Sequence, residues 1–148
     1  EYLYIKGNEL GTHKDNEKTV KVIAGKYEKA EGTEKNHNVE PIYFHVVLNE
    51  AKEFSCDVPE THNSFIYLLK GELKIGNENH GKTFDSNLIL LERGSKLFVK
   101  AQKKSEFLFI AGKPIGEPIA RGGHFVMNTK AEILEAIKDY NNGTFAKY

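Results

Sequence analysis

Among 148 residues there is one cysteine, Cys56, and no net charge: Lys+Arg 21 balance Asp+Glu 21. A single cysteine can form neither an internal disulfide nor a thiolate zinc site, which suits a reducing compartment. Zero net charge argues against a nucleic-acid module held by phosphate neutralisation, so no direct nucleic-acid partner is expected. Long apolar runs are missing as well. Stretches such as Leu88–Leu91 are far shorter than the roughly 18 residues of a membrane span. Nothing near Glu1 has the basic-then-apolar layout of a signal peptide. These absences predict a cytoplasmic chain with no membrane partner.

Motifs that announce common chemistries are also absent. The six histidines, His13, His37, His45, His62, His80 and His124, contain no His-x-His or His-Glu-x-x-His pair. No glycine loop leads into a Lys-Ser/Thr helix start, and Gly122-Gly123 reads as a turn. What the chain does have is 39% hydrophobic against 28% charged residues. That balance fits one globular domain able to bury roughly two-thirds of its unfolded surface.

Apolar or alternating runs of strand length recur at 20–24, 42–48, 64–69, 72–75, 87–91, 96–100 and 107–111, separated by Gly, Asn, Asp and Lys. Seven short strands predict an antiparallel β-sandwich or barrel. Lys70-Gly71-Glu72 lies between two of them, and Gly71 can take a positive φ, so a tight hairpin is expected there. Residues 26–38 are polar and predict a long surface loop. Toward the end the period changes: Thr129 and Glu132 form a capping box, and Ile133, Leu134, Ile137 and Tyr140 recur at helical spacing. Asn141-Asn142-Gly143 supplies the stop. The expected architecture is a single domain over 1–148: an N-terminal extension (1–19), a β-barrel (20–128) and one amphipathic helix (129–142). The chain opens at Glu1 without Met, and the apolar Tyr2, Leu3, Tyr4 and Ile5 that follow suggest a piece of something longer.

Few residues suggest a site. His45 shares a strand face with Tyr43 and Val47 and would enter a pocket if that face lined the barrel interior; a surface or hydrogen-bonded histidine is the alternative. His62 precedes an apolar strand and could stand at a barrel mouth or in an exposed loop. Tyr43 and Tyr67 could line a ligand cavity or simply pack. Cys56 and His62 could form a nucleophile pair, against which stands plain packing of a small thiol. Spacing alone names no catalytic residue.

Two stretches are more specific. Ser64-Phe-Ile-Tyr-Leu-Leu-Lys-Gly-Glu-Leu-Lys-Ile-Gly76 resembles the strand, glycine turn and strand of a cupin. Phe107-Leu-Phe-Ile-Ala-Gly-Lys-Pro-Ile-Gly-Glu-Pro118, with Gly123-His-Phe-Val-Met-Asn-Thr129 and the following helix, resembles the C-terminal half of pirins, where Gly-Pro-Phe is usual in place of Gly123-His124-Phe125. The resemblance implies a cupin-type jelly roll that is one half of a double-cupin protein, with a single iron in an N-terminal domain that this chain lacks.

In a metal-bearing cupin the pattern would place a His-x-His pair at Asp57 and Pro59 or at Val58 and Glu60, a Glu at Ser64 and a third His at Leu97. None matches. The resemblance therefore implies a metal-free half that supplies stability and an interface to an iron-dependent whole, akin to quercetin 2,3-dioxygenases in bacteria or to nuclear transcriptional coregulators. Expected partners are the N-terminal cupin domain, a second copy of the chain, or a transcription factor, with a nuclear location in eukaryotes. The alternative is an independent barrel that binds a phenolic small molecule through Tyr43, His45, His62 and Tyr67.

Overall fold

A computed structural model describes residues 4–33, 38–76, 81–85 and 88–146. Its elements are β1 (Gly11–Lys14), β2 (Lys18–Ala24), β3 (Lys26–Tyr27), β4 (Ala30–Glu31), β5 (Ile42–Leu48), β6 (Glu53–Asp57), β7 (Asn63–Ile75), β8 (Lys82–Phe84), β9 (Leu88–Leu91), β10 (Lys96–Gly112), β11 (Ala120–Gly122), β12 (Phe125–Met127) and α1 (Lys130–Asn141). They fall into two compact units, Glu1–Pro114 and Ile115–Tyr148. The barrel strands thus span Gly11 to Gly112, taking in β1 from the predicted extension and leaving the β11–β12 hairpin to the second unit.

All pairings in the main sheet are antiparallel, in the order β1-β2-β5-β10-β7-β8, with β6 added on β10 and β9 on β7. The cupin-type fold is as expected, but its construction differs from seven short strands. No hairpin forms at Gly71. The runs 64–69 and 72–75 are one 13-residue strand, β7, and the runs 96–100 and 107–111 are one 17-residue strand, β10.

Each long strand serves two layers. In β10, residues 105–111 pair with β5 and 106–112 with the first half of β7, whereas residues 96–100 pair with β6 and 99–103 with the second half of β7. The bend between the layers is built at Gly71, which has φ +100°, and at register shifts between Ala101 and Phe107. Bulges re-aim a strand in this way. Ser105, buried in the bend, pins it: its Oγ accepts the Glu72 N–H at 3.0 Å and lies within donating distance of the carbonyls of Lys103 (2.7 Å) and Glu72 (3.1 Å).

Alternation decides what lies between the layers. Val20 and Val22 of β2, Phe44, Val46 and Leu48 of β5, Ile66 and Leu68 of β7, and Phe107 and Phe109 of β10 are all buried. Burying each such side chain is worth roughly 1.5–3 kcal/mol. Tyr27 joins them. It comes from the predicted loop 26–38, whose first part is instead the β3–β4 hairpin; His37, in the same stretch, lies outside the described residues, as does His80. The Tyr27 ring stacks on Phe54 at 5.2 Å and meets Phe44 edge-on at 5.7 Å, and burial pushes its hydroxyl up to about 12.

In the second unit, β11 and β12 pair through a two-residue turn, Gly123-His124, with Gly123 at φ +57°. Helix α1 starts as predicted: Thr129 Oγ1 accepts the Glu132 N–H, and Glu132 Oε2 accepts the Thr129 N–H at 2.7 Å. Its buried residues are Ile133 and Ala136, while Leu134, Ile137 and Tyr140 are exposed. Among the described residues no helix is long and apolar enough to cross a membrane.

Candidate functional site

The strand face shared by Tyr43, His45 and Val47 points out of the barrel, because Phe44, Val46 and Leu48 occupy the interior positions of β5. Register then places His45 opposite Lys21 of β2 and Leu108 of β10, with Tyr67 of β7 opposite Leu108 on its other side. Tyr43 stands on the same face, opposite Ile110. The structure therefore gathers Tyr43, His45 and Tyr67 on one outer surface rather than around a cavity. His45 Nε2 lies 2.7 Å from Glu106 Oε1, a partly exposed contact that fixes the ring.

His62 lies apart from them and inside, 2% exposed. Its Nε2 is 2.9 Å from the Glu40 carbonyl, which can only accept, so Nε2 carries the proton and donates. Glu40 has φ +45°, a left-handed conformation unusual for a side-chain-bearing residue, and the His62 bond helps to hold it. His62 is thus a latch on the segment entering β5. Cys56 is not its partner. Burial, with a smaller contribution from Asp57, pushes the thiol up to about 12, so almost no thiolate exists at neutral pH.

Of the positions to which the cupin ligand pattern maps, Val58, Ser64 and Leu97 converge, whereas Asp57, Pro59 and Glu60 are exposed and lie outside the cavity lining. Leu97 is paired with Cys56 across β10 and β6, Val58 follows the end of β6, and Ser64 opens β7 opposite Leu91. Val58, Ser64 and Leu97 line one cavity of about 460 Å³, completed by Ile75, Phe84, Ile89 and Leu91. Val58 and Leu97 are nearly fully buried. A metal centre needs converging lone pairs from imidazole, thiolate or carboxylate, and this lining offers the Ser64 hydroxyl and one carboxylate, Glu92, with no imidazole or thiolate. The residues present do not fit an iron. Among the described residues no group of three or more His, Cys, Asp or Glu could hold a metal ion.

A larger cleft of about 700 Å³ lies over β6 and β10, with Lys18, Lys74 and Lys100 around Phe98. Lys100 Nζ is 3.0 Å from Glu53 Oε1, Lys18 Nζ donates to the Glu53 carbonyl at 3.2 Å, and Lys74 is engaged as well, so these cations already have partners. Neither this cleft nor the role of Ser105 is legible from spacing. The only hint of Ser105 is the polar interruption Gln102-Lys-Lys-Ser105 between two apolar runs.

Comparison with known proteins is specific. The family model described as the pirin C-terminal cupin domain matches residues 43–146. A pirin-like protein of Solanum lycopersicum is 38% identical over 104 residues, covering 69% of this chain and 36% of its own. Pirin of Rattus norvegicus is 36% identical over 104 residues, with 68% and 36% covered. Among solved structures, a quercetin 2,3-dioxygenase from Acinetobacter baumannii superposes with a TM-score of 0.81 at 30% identity, covering 99% of this chain and 51% of that one. The chain spans between about a third and a half of the length of these relatives.

Proposed function

The chain belongs to the pirin family, as its C-terminal cupin domain, and from that premise we propose that it is the metal-free half of a double-cupin protein, buttressing an iron-bearing N-terminal half. Oxygenase chemistry like that named for the Acinetobacter relative then belongs to the whole protein. No residue of this half takes part in it directly.

The observation that carries the proposal is the cavity at the ligand positions, where Val58, Ser64 and Leu97 stand in place of imidazole and carboxylate. Further support comes from the outer face of the first unit. Leu88 is 55% and Leu90 78% exposed, beside the half-exposed Tyr67 and Leu69. Contiguous apolar surface of this kind marks an interface in soluble proteins. The missing half of a chain twice as long is the occupant proposed here, ahead of a second copy of this chain or a transcription factor. The corresponding location is the cytoplasm, or the nucleus in a eukaryote.

The test is the iron content of the purified chain after incubation with Fe(II) and desalting. Only a trace is expected, and near-stoichiometric tightly held iron overturns the proposal. A separately produced iron-bearing cupin half should co-elute with the chain, and Leu88→Lys with Leu90→Lys should abolish the complex.

A further inference from the structure

The cavity between Val58, Ser64 and Leu97 has a chemistry of its own. Val58, Ile75, Ile89 and Leu97 supply apolar surface to a lining that is close to half polar, and Ser64 offers the one hydroxyl there. An apolar group laid on those four side chains gains by leaving water. A volume near 460 Å³ lies within the range of small-molecule sites.

The rim adds a sign. Lys82 and Lys96 border the cavity against one carboxylate, Glu92. Among the described residues neither lysine is in an ion pair; the Lys96 Nζ lies 5.4 Å from the centre of the Phe98 ring. Two ammonium groups beside apolar side chains complement a ligand with an apolar body and one acidic end.

We infer that this cavity is a binding site for a small apolar molecule bearing a single carboxylate, with the hydrocarbon part against Val58, Ile89 and Leu97 and the carboxylate at Lys82 and Lys96. The inference rests on the reading of this half as metal-free, since a bound cation would occupy the same walls. It differs from a phenol-binding barrel built on Tyr43, His45 and Tyr67, which lie on the outer surface.

The probe is 1-naphthoate, titrated into the purified chain. The chain has no tryptophan, so naphthoate emission is read free of indole background. Saturable binding is expected, with amide chemical-shift changes centred on Val58, Ser64, Ile89 and Leu97. The neutral isostere 1-naphthalenemethanol should bind about tenfold more weakly. Lys82→Glu with Lys96→Glu should weaken naphthoate by at least about tenfold and the alcohol by less than twofold; tenfold corresponds to about 1.4 kcal/mol. Ser64→Phe should block both ligands.

Absence of saturable shifts at those amides, shifts centred elsewhere, or indifference of naphthoate to the lysine reversal overturns the inference. The amide map and the lysine pair decide it even if Ser64→Phe fails to fold. A chain that stays free of iron and ignores naphthoate refutes this inference alone, whereas a chain that takes up iron refutes the functional proposal beneath it.

Discussion

Replacing Gly71 by Ala tests the bend on which the two-layer architecture depends. Gly71 sits at φ +100°, where an L side chain is strained by roughly 1–2 kcal/mol. A Cβ built there would stand 2.6 Å from Ser105 Cα and 2.7 Å from the Lys104 carbonyl oxygen, where ordinary contact begins at 3.4 Å. Both neighbours are backbone atoms, so no rotamer change relieves the clash. The strands must separate by some tenths of an ångström, and overpacking of that kind costs about 1–3 kcal/mol. Together the loss is about 2–5 kcal/mol. At 2–4 °C per kcal/mol for a chain of this size, the melting temperature of the first unit should fall by about 4–20 °C.

Two controls separate the contributions. Gly94 has open space around it and should accept Ala within about 0.5 kcal/mol. Gly25, at φ +83° with its nearest atom at 3.3 Å, should show mainly the conformational cost of about 1–2 kcal/mol. Urea unfolding followed by near-ultraviolet circular dichroism reads all three. Were Gly71 at the tip of a solvent-exposed hairpin, its variant would behave like that of Gly25. A Gly71→Ala loss no larger than that of Gly25→Ala refutes the bend against Ser105.

Three further outcomes follow from local geometry. Ser105→Ala leaves the part-buried Glu72 N–H without its acceptor and should cost about 1 kcal/mol or more in denaturant unfolding; a neutral result would show that the bulge does not need its pin. Ala51, at φ +62° in the turn between β5 and β6, should gain about 1 kcal/mol on replacement by Gly, and a higher urea midpoint checks it. Asp15 accepts the Glu17 and Lys18 amides and contacts His13, which lowers its carboxyl from 3.8 to about 2. A carboxyl depressed on folding stabilises above its unfolded value and loses that contribution as pH falls. The stability difference between the wild type and Asp15→Asn should therefore be full above about pH 4 and shrink toward pH 2, and a difference that stays constant across that window contradicts it.

Local rules reached a good part of this molecule. Thr129 and Glu132 cap a helix because the pairing is complete within four residues, and its stop at Asn142-Gly143 is equally local. The alternation through Tyr43-Phe-His-Val-Val47 marks a strand with two different faces, and the cupin and pirin stretches carry the family. Spacing could not say which face is interior. That choice belongs to the neighbours of β5: Phe107, Phe109, Val20 and Val22 bury Phe44 and Val46 and so turn His45 outward.

The continuity of β7 through Gly71 was equally hidden, since a glycine with positive φ suits a hairpin tip as well as a strand bend. Only the approach of Ser105, 34 residues further on, distinguishes the two. The cavity has the same origin. Composition and periodicity determined a β-rich chain, and the stretches 64–76 and 107–129 marked it as a cupin domain of the pirin family without histidines at the mapped ligand positions. Only the tertiary structure could bring Val58, Ser64 and Leu97 to one set of walls under Lys82 and Lys96, because a cavity belongs to chain segments distant in sequence and leaves no pattern in any one of them.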